Sequence, residues 1–285
     1  MLPVALVPVV AVVVWVAVAF WVGHRGTGAG SETLPTEPAG PVAGTPVVAS
    51  AEPQGVATPS PGPTTLKSAP RSGTTVRYTF DGGLATEVVD GSGRLPLKVR
   101  KVAGGDLAAV PHDGGLAVRF PAACEHYGAE SCARAVLQSG PANFLNPGRL
   151  DFAYGASVLV KPSETSKGAN VMQKGFSVGD SQFKLQVDGA AGQPSCVLVG
   201  TAGPDIHVAL ASRSVADGRW HKVACSRSNA LLTVAVDGTV VGRTSIPSSL
   251  SIVNADPLCI GGKGTSANND QFAGVIDDVF VTRAA

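Results

Sequence analysis

Leu231-Leu232-Thr233-Val234-Ala235-Val236-Asp237-Gly238-Thr239-Val240-Val241 is the stretch that decides the fold. Leu232, Val234 and Val236 recur with period two, as a half-buried strand requires. Asp237-Gly238 then separates two apolar runs, and an Asp-Gly pair suits a tight hairpin turn whose central residues need positive φ. Working outward, Phe183, Leu185 and Val187 point one way while Lys184, Gln186 and Asp188 point the other. Further strand segments are expected near 75–80, 115–120, 134–138, 151–160, 196–200, 206–211, 220–226 and 274–282, divided by Gly, Asp, Asn and Pro turns. No segment beyond residue 23 keeps a helical period. The expected class is therefore all-β: a two-sheet antiparallel β-sandwich or jelly roll.

Ahead of the sandwich the composition changes twice. Leu2 to Val22 is an uncharged apolar run, about 32 Å long as a helix and so a match to a hydrocarbon core of about 30 Å. It reads as a signal anchor or transmembrane helix within residues 1–25; removal as a signal peptide after Ala17-Val18-Ala19, giving a secreted protein, is the alternative. Residues 26–73 form a Pro/Thr/Gly-rich stalk: Gly26 to Ser72 holds nine prolines and no aromatic residue, too little apolar surface to offset ordering entropy. Residues 74–285 are the folded domain. The expected location is the cell membrane, single-pass, with that domain extracytoplasmic.

Net charge is +1, and 74–285 carries 19 Lys/Arg against 18 Asp/Glu. Without a basic run, nucleic acid is not an expected partner. Five cysteines stand at 124, 132, 196, 225 and 259, with no C-x-x-C pair and no histidine at zinc-ligand spacing. In an exported domain disulfides are the better reading. Cys124 with Cys132 and Cys196 with Cys225 is the expected pairing, one of several that five cysteines allow, and it leaves Cys259 reduced.

Asp217-Gly218-Arg219-Trp220-His221-Lys222-Val223, followed by the Leu231–Gly238 strand, resembles the D-G-x-W-H-x-V signature of laminin G-like, concanavalin A-like domains. Leu258-Cys259-Ile260-Gly261-Gly262-Lys263 and Phe272-Ala273-Gly274-Val275-Ile276-Asp277-Asp278-Val279 resemble that family's closing segments. Val76 to Asp81 resembles its opening strand, and Asn170 to Gly175 its early N-x-x-x-K-G segment. The resemblance implies a jelly roll that commonly binds carbohydrate or protein, sometimes with calcium. Trp220, after a tight Asp217-Gly218 turn, is expected to cap a sheet edge or the core.

Catalysis finds little support. Gly175-Phe176-Ser177-Val178-Gly179 matches the G-x-S-x-G nucleophile elbow letter for letter, but that motif needs a strand turning into a helix, and here Asp180 to Asp188 continues as an alternating strand. The glutamates at 87, 125, 130 and 164 are scattered, so no paired-carboxylate glycosidase motif exists. Gly261-Gly262-Lys263-Gly264-Thr265 has the flavour of a phosphate loop without its spacing, and reads as a hairpin loop. The expected function is a tethered, non-enzymatic binding module for a glycan or surface protein; a hydrolase of the same fold, or a purely structural envelope protein, are the alternatives. Alternation places Lys184 and Gln186 on a solvent-facing sheet surface, with Lys174 and Tyr154 joining them as a ligand face. Asp81, Asp277 and Asp278 are the carboxylates that could hold a structural calcium, provided that the first and last strands are neighbours; the alternative is that one caps a turn while another hydrogen-bonds backbone.

Overall fold

The computed structural model describes residues 75–284, apart from 85–86, 127, 166–167 and 179. The apolar run at 2–22 and the stalk at 26–73 lie outside the described residues. Among those described, no helix is long and apolar enough to cross a membrane.

Fifteen strands follow one another among the described residues: β1 (Thr75–Tyr78), β2 (Leu97–Val102), β3 (Ala108–His112), β4 (Gly115–Phe120), β5 (Arg134–Pro141), β6 (Phe152–Leu159), β7 (Ala169–Gly175), β8 (Gln182–Asp188), β9 (Gln193–Val199), β10 (Ile206–Leu210), β11 (Trp220–Ser228), β12 (Leu231–Val236), β13 (Thr239–Ser245), β14 (Pro257–Ile260) and β15 (Gly274–Arg283). They form two antiparallel sheets. One runs β13-β12-β11-β6-β15-β4-β3, with β1 also on β15; the other runs β10-β9-β8-β7-β14-β5-β2. The two-sheet sandwich is thus as expected, and β1 does lie against the last strand, Thr75 opposite Thr282.

The Asp237–Gly238 turn behaves as its sequence demands. Both residues have positive φ, 52° and 78°, which fits the twist of the flanking strands. β2 and β3 go beyond the expected segments. β3 carries Pro111, which a central strand would reject for its missing N–H, but β3 is a sheet edge, where proline is tolerated.

Alternation sends Phe183, Leu185 and Val187 of β8 inward, where Phe183 meets Phe152 and Tyr154 with ring centroids 5.6 and 5.1 Å apart. Cys196 on β9 bonds Cys225 on β11, so this disulfide joins the two sheets through the core (Cα–Cα 5.6 Å). Cys124–Cys132 closes the connection between β4 and β5. Cys259 is a buried free thiol, as expected. Burial pushes its thiol up to about 12, so it is not a thiolate at neutral pH.

Of the two places expected for Trp220, it takes the one against an edge strand, β3, and not the core. It alternates out of phase with the core-facing Val223 and Cys225, sits half-buried on the outer face of the eight-stranded sheet, and stacks on His112 at 3.7 Å. The Gly261–Thr265 segment is not a hairpin loop: it begins the passage from β14 in one sheet to β15 in the other.

Candidate functional site

The β7–β8 hairpin builds the outer face of the seven-stranded sheet. Its register contains one irregularity: Asn170 lies opposite Gln186, yet Met172 lies opposite Leu185, so Val171 is an extra, bulged residue. Beyond the bulge Gln173 faces outward beside Lys184, while Lys174 faces inward beside Phe183. A bulge shifts the phase of every later side chain.

Lys174 is therefore not on the ligand face. It is fully buried, and its Nζ donates to Asn146 Oδ1 (2.8 Å), to the Asn254 carbonyl (3.0 Å) and to Asn254 Oδ1. Burial lowers its pKa to about 8, against the opposing pull of Asp256 and Asp180. Tyr154 is also misplaced by the expectation. Its ring is part of the core, and its hydroxyl donates to the Lys184 carbonyl at 3.2 Å and the Val197 carbonyl at 3.5 Å. Both polar tips are consumed by structure, as buried polar groups must be.

Lys184 and Gln186 do project from the outer face and are half-buried there. Gln186 donates to Asp188. Lys184 lines a groove of about 290 Å³ together with Gln173, Gln182, Ser177, Lys263 and Asp270, and with Phe176 and Val178 at its rim. Burial draws the Lys184 ammonium below the ordinary lysine range, opposed by Asp270 and Asp188. Phe176 and Val178 are 42% and 88% exposed, so the groove offers apolar surface beside its polar groups.

Local bonding fixes this wall. Gln173 Nε2 and Gln182 Nε2 both donate to the Gly175 carbonyl, at 2.7 and 3.2 Å. Gly175 itself has φ of +80°, and a Cβ there would stand 1.9 Å from the Ser181 carbonyl, so only glycine turns the chain at this point. The opposite wall comes from the β14–β15 connection. It is fastened where the Asn170 N–H donates to the Asp270 carbonyl (2.8 Å) and where Lys263 pairs with Asp270 (2.9 Å). Gln173, Gln182, Phe176, Lys263 and Asp270 escaped the sequence reading. Gln173 alone had a signal, since it sits within the N-x-x-x-K-G segment, but the unseen bulge gave its place to Lys174.

A second groove of about 380 Å³ adjoins the first through Ser177 and is lined by Asp180, Gly200, Thr201, Gly203 and Pro204. A third, about 120 Å³, shares Gly200 and Gly203 with it and ends at Asp205 and His207. Ser177 stands in the connection between antiparallel β7 and β8, with no helix behind it. Asp180 reaches the Asp256 side chain, and burial with that contact raises Asp256.

The three aspartates expected to share calcium each engage the protein. Asp81 accepts from the Leu116 N–H at 3.1 Å, and the Thr79 hydroxyl with that N–H holds its carboxyl below the usual range. Asp277 contacts His112 Nδ1 at 2.6 Å; burial raises its pKa against that bond. Asp278, at φ 51° in the irregularity of β15, pairs with Arg77. Among the described residues no group of three or more His, Cys, Asp or Glu side chains is placed to hold a metal ion.

Comparison with solved structures gives folds of the same kind. Domain 4 of AbnA, a GH43 extracellular arabinanase from Geobacillus stearothermophilus solved with arabinotriose, matches with TM-score 0.56 and 15% identity, over 77% of this chain and 95% of that one. The binding domain of Paraclostridial Mosquitocidal Protein 1 matches with TM-score 0.52 and 14% identity, over 70% of this chain and 47% of that one. A structure of botulinum neurotoxin type C, whose cell entry depends on two ganglioside molecules, matches with TM-score 0.52 and 9% identity, over 74% and 47%. The chain thus spans about half the length of the two toxin structures, and at these identities the likeness is one of fold. A search of curated proteins found no match. Residues 145–285, which hold β6 to β15 and both walls of the groove, match the family described as the concanavalin A-like lectin/glucanases superfamily, so this half of the chain is similar to that superfamily.

Proposed function

We propose that this protein is a non-catalytic carbohydrate-binding module held at an extracytoplasmic surface, and that the groove around Lys184 is its binding site. The observation that carries the reading is the groove's composition. Two fixed glutamines, a serine and a lysine can meet hydroxyl groups, while Phe176 and Val178 offer an apolar rim to the C–H faces of a sugar ring. Support comes from the arabinotriose and ganglioside associations of two structures that share the fold. Exposure to an oxidising compartment is supported by the two disulfides. Anchorage rests on the apolar run at 2–22.

The test is a glycan array probed with the full chain and with a Phe176→Ala/Gln182→Ala variant. Retention of a defined glycan set, reduced at least about tenfold by the double substitution, is expected. Undiminished retention by the variant would move the site elsewhere. For the anchor, cell fractionation should find the chain in the membrane pellet and its release by detergent but not by salt; recovery in the soluble fraction contradicts retention of the segment.

A further inference from the structure

The buried lysine of the β7–β8 hairpin is pressed against a side-chain amide. Lys174 is 0% exposed and Asn254 7% exposed, so the two groups meet away from bulk water. Lys174 Nζ contacts Asn254 Oδ1, the oxygen bonded to the carboxamide carbon Cγ, and donates to the main-chain carbonyl of the same residue at 3.0 Å. The carboxamide is held in place. Its Nδ2 donates to the Ser181 carbonyl at 2.8 Å, and its Oδ1 accepts the Asp256 N–H at 3.2 Å. Asn146 fixes the amine from another side, accepting from Nζ at 2.8 Å while its own Nδ2 donates to the Asn254 carbonyl at 2.8 Å. Gly175 lets the chain close on this amide, since a Cβ there would stand 2.4 Å from Asn254 Nδ2.

An amine fixed against a carboxamide is a nucleophile fixed against an acyl carbon, and the surroundings favour reaction. Contact within one folded chain replaces a bimolecular encounter. Burial lowers Lys174 to about 8, against the opposing pull of Asp256 and Asp180, so a fraction of it is free amine at neutral pH. The Asp256 N–H already points at Oδ1, where negative charge develops when a nucleophile adds to Cγ. Asp256 also supplies a proton carrier. Its carboxyl acts on Lys174, and burial followed by Asp180 raises it above the usual carboxylate range. Among the described residues no N–H reaches its buried Oδ2.

We propose that Lys174 and Asn254 react with each other to form an intramolecular isopeptide bond, tying β7 to the connection between β13 and β14 across 80 residues of sequence. Atoms and charges balance without a co-reactant. The Asp256 carboxylate takes one proton from the Lys174 ammonium. The freed Nζ adds to Asn254 Cγ, and Oδ1 carries the negative charge beneath the Asp256 N–H. The Asp256 carboxylic acid passes its proton to Nδ2 and takes another from Nζ. The Cγ–Nδ2 bond then breaks, Oδ1 returns to a carbonyl, and one ammonia leaves. Only the unreacted chain keeps the free Lys174 amine and the pH dependence that belongs to it. The bond is independent of what the groove binds. Beside the Cys196–Cys225 bridge it gives the sandwich a second interior tie, one that a reductant does not open.

Mass spectrometry of the full chain, reduced and alkylated, is the test. The wild type is expected one ammonia below the mass of its alkylated sequence, and its digest is expected to contain a branched peptide in which Lys174 Nζ is joined to Asn254 Cγ. Lys174→Met and Asp256→Asn should each have the full mass of their own sequence and give linear peptides alone. Asp256→Asn, checked as folded by circular dichroism, keeps the comparison free of any folding defect in Lys174→Met. A succinimide at an asparagine also loses ammonia, so a lighter chain without the branched peptide overturns the proposal. A wild type at full mass, with linear peptides around Lys174 and Asn254, overturns it equally. A branch from Lys174 to Asn146 contradicts the choice of Asn254, and cross-linking undiminished in Asp256→Asn contradicts the proton transfers given to Asp256.

Discussion

Lys174 and Lys184 stand on the two strands of one hairpin, yet they occupy opposite worlds. Lys174 faces Phe183 across the ladder and lies in the space between the sheets, where three acceptors hold it. Lys184 faces Gln173 and opens into a groove on the outer surface. The single bulged residue Val171 sorts them. One region uses polar groups to bind the molecule to itself, and the other leaves them available. Substitution should separate these roles, with stability lost on the inside and affinity lost on the outside.

The largest effect is expected at the bridge through the interior. Replacing Cys196 and Cys225 together by Ala removes the tie between β9 and β11 across 29 residues of sequence. Chain-entropy reasoning gives about 3.5 kcal/mol for a loop of that size, measured by denaturant unfolding. A loss below about 1 kcal/mol would mean that the sheets hold each other without it. Next is Lys174→Ala, which empties a buried site and strands three acceptors, for an expected loss of about 3 kcal/mol. Lys184→Gln, next along β8 to the residue opposite Lys174, should cost less than about 0.5 kcal/mol. Equal losses at the two lysines would break the distinction between the regions.

Lys174 also sets a pH signature. Its folded pKa is depressed to about 8 from the ordinary 10.5, so between those values the unfolded chain holds a proton that the folded chain has released. Stability contributed at this site must then rise with pH across that window and level off above it. The unfolding free energy of the wild type relative to Lys174→Met should increase from pH 7.5 to 10. A flat difference contradicts a desolvated ammonium. Between the two lysines in size is Tyr154→Phe, which deletes two long hydrogen bonds and should cost about 1 kcal/mol, without touching glycan affinity except through the Lys184 backbone. Smallest is calcium: with Asp81, Asp277 and Asp278 each engaged by Leu116, His112 and Arg77, melting in chelator and in millimolar calcium should coincide. A rise of several degrees in calcium would restore the three aspartates as ligands.

Much of the architecture was legible because it is written in local patterns. Alternation at Phe183–Val187 and Leu232–Val236, and the Asp-Gly turn between β12 and β13, required no knowledge of the tertiary fold. Pairing Cys196 with Cys225 was legible too, since both fall within alternating segments whose inner faces meet. The site was half legible for a physical reason. Lys184 and Gln186 sit on a regular strand, so parity alone placed them on the outer face. Lys174 lies beyond a bulge that leaves no composition signal, and one extra residue inverts parity. Tyr154 was misplaced for a different reason: an aromatic ring with a hydroxyl suits either a ligand face or a core with carbonyls at its end. Lys263 and Asp270 come from a connection between sheets, whose position depends on bonds such as Asn170 N–H to Asp270 O rather than on any period.

Hydrogen–deuterium exchange of the full chain, with and without the tightest glycan from the array, tests the placement of the binding face most directly. The expected result is protection confined to residues 172–186 and 262–271, the two walls of the Lys184 groove, with no change around His112 and Trp220 on the opposite sheet. Protection centred on Trp220 and His112, with 172–186 unaltered, would contradict it.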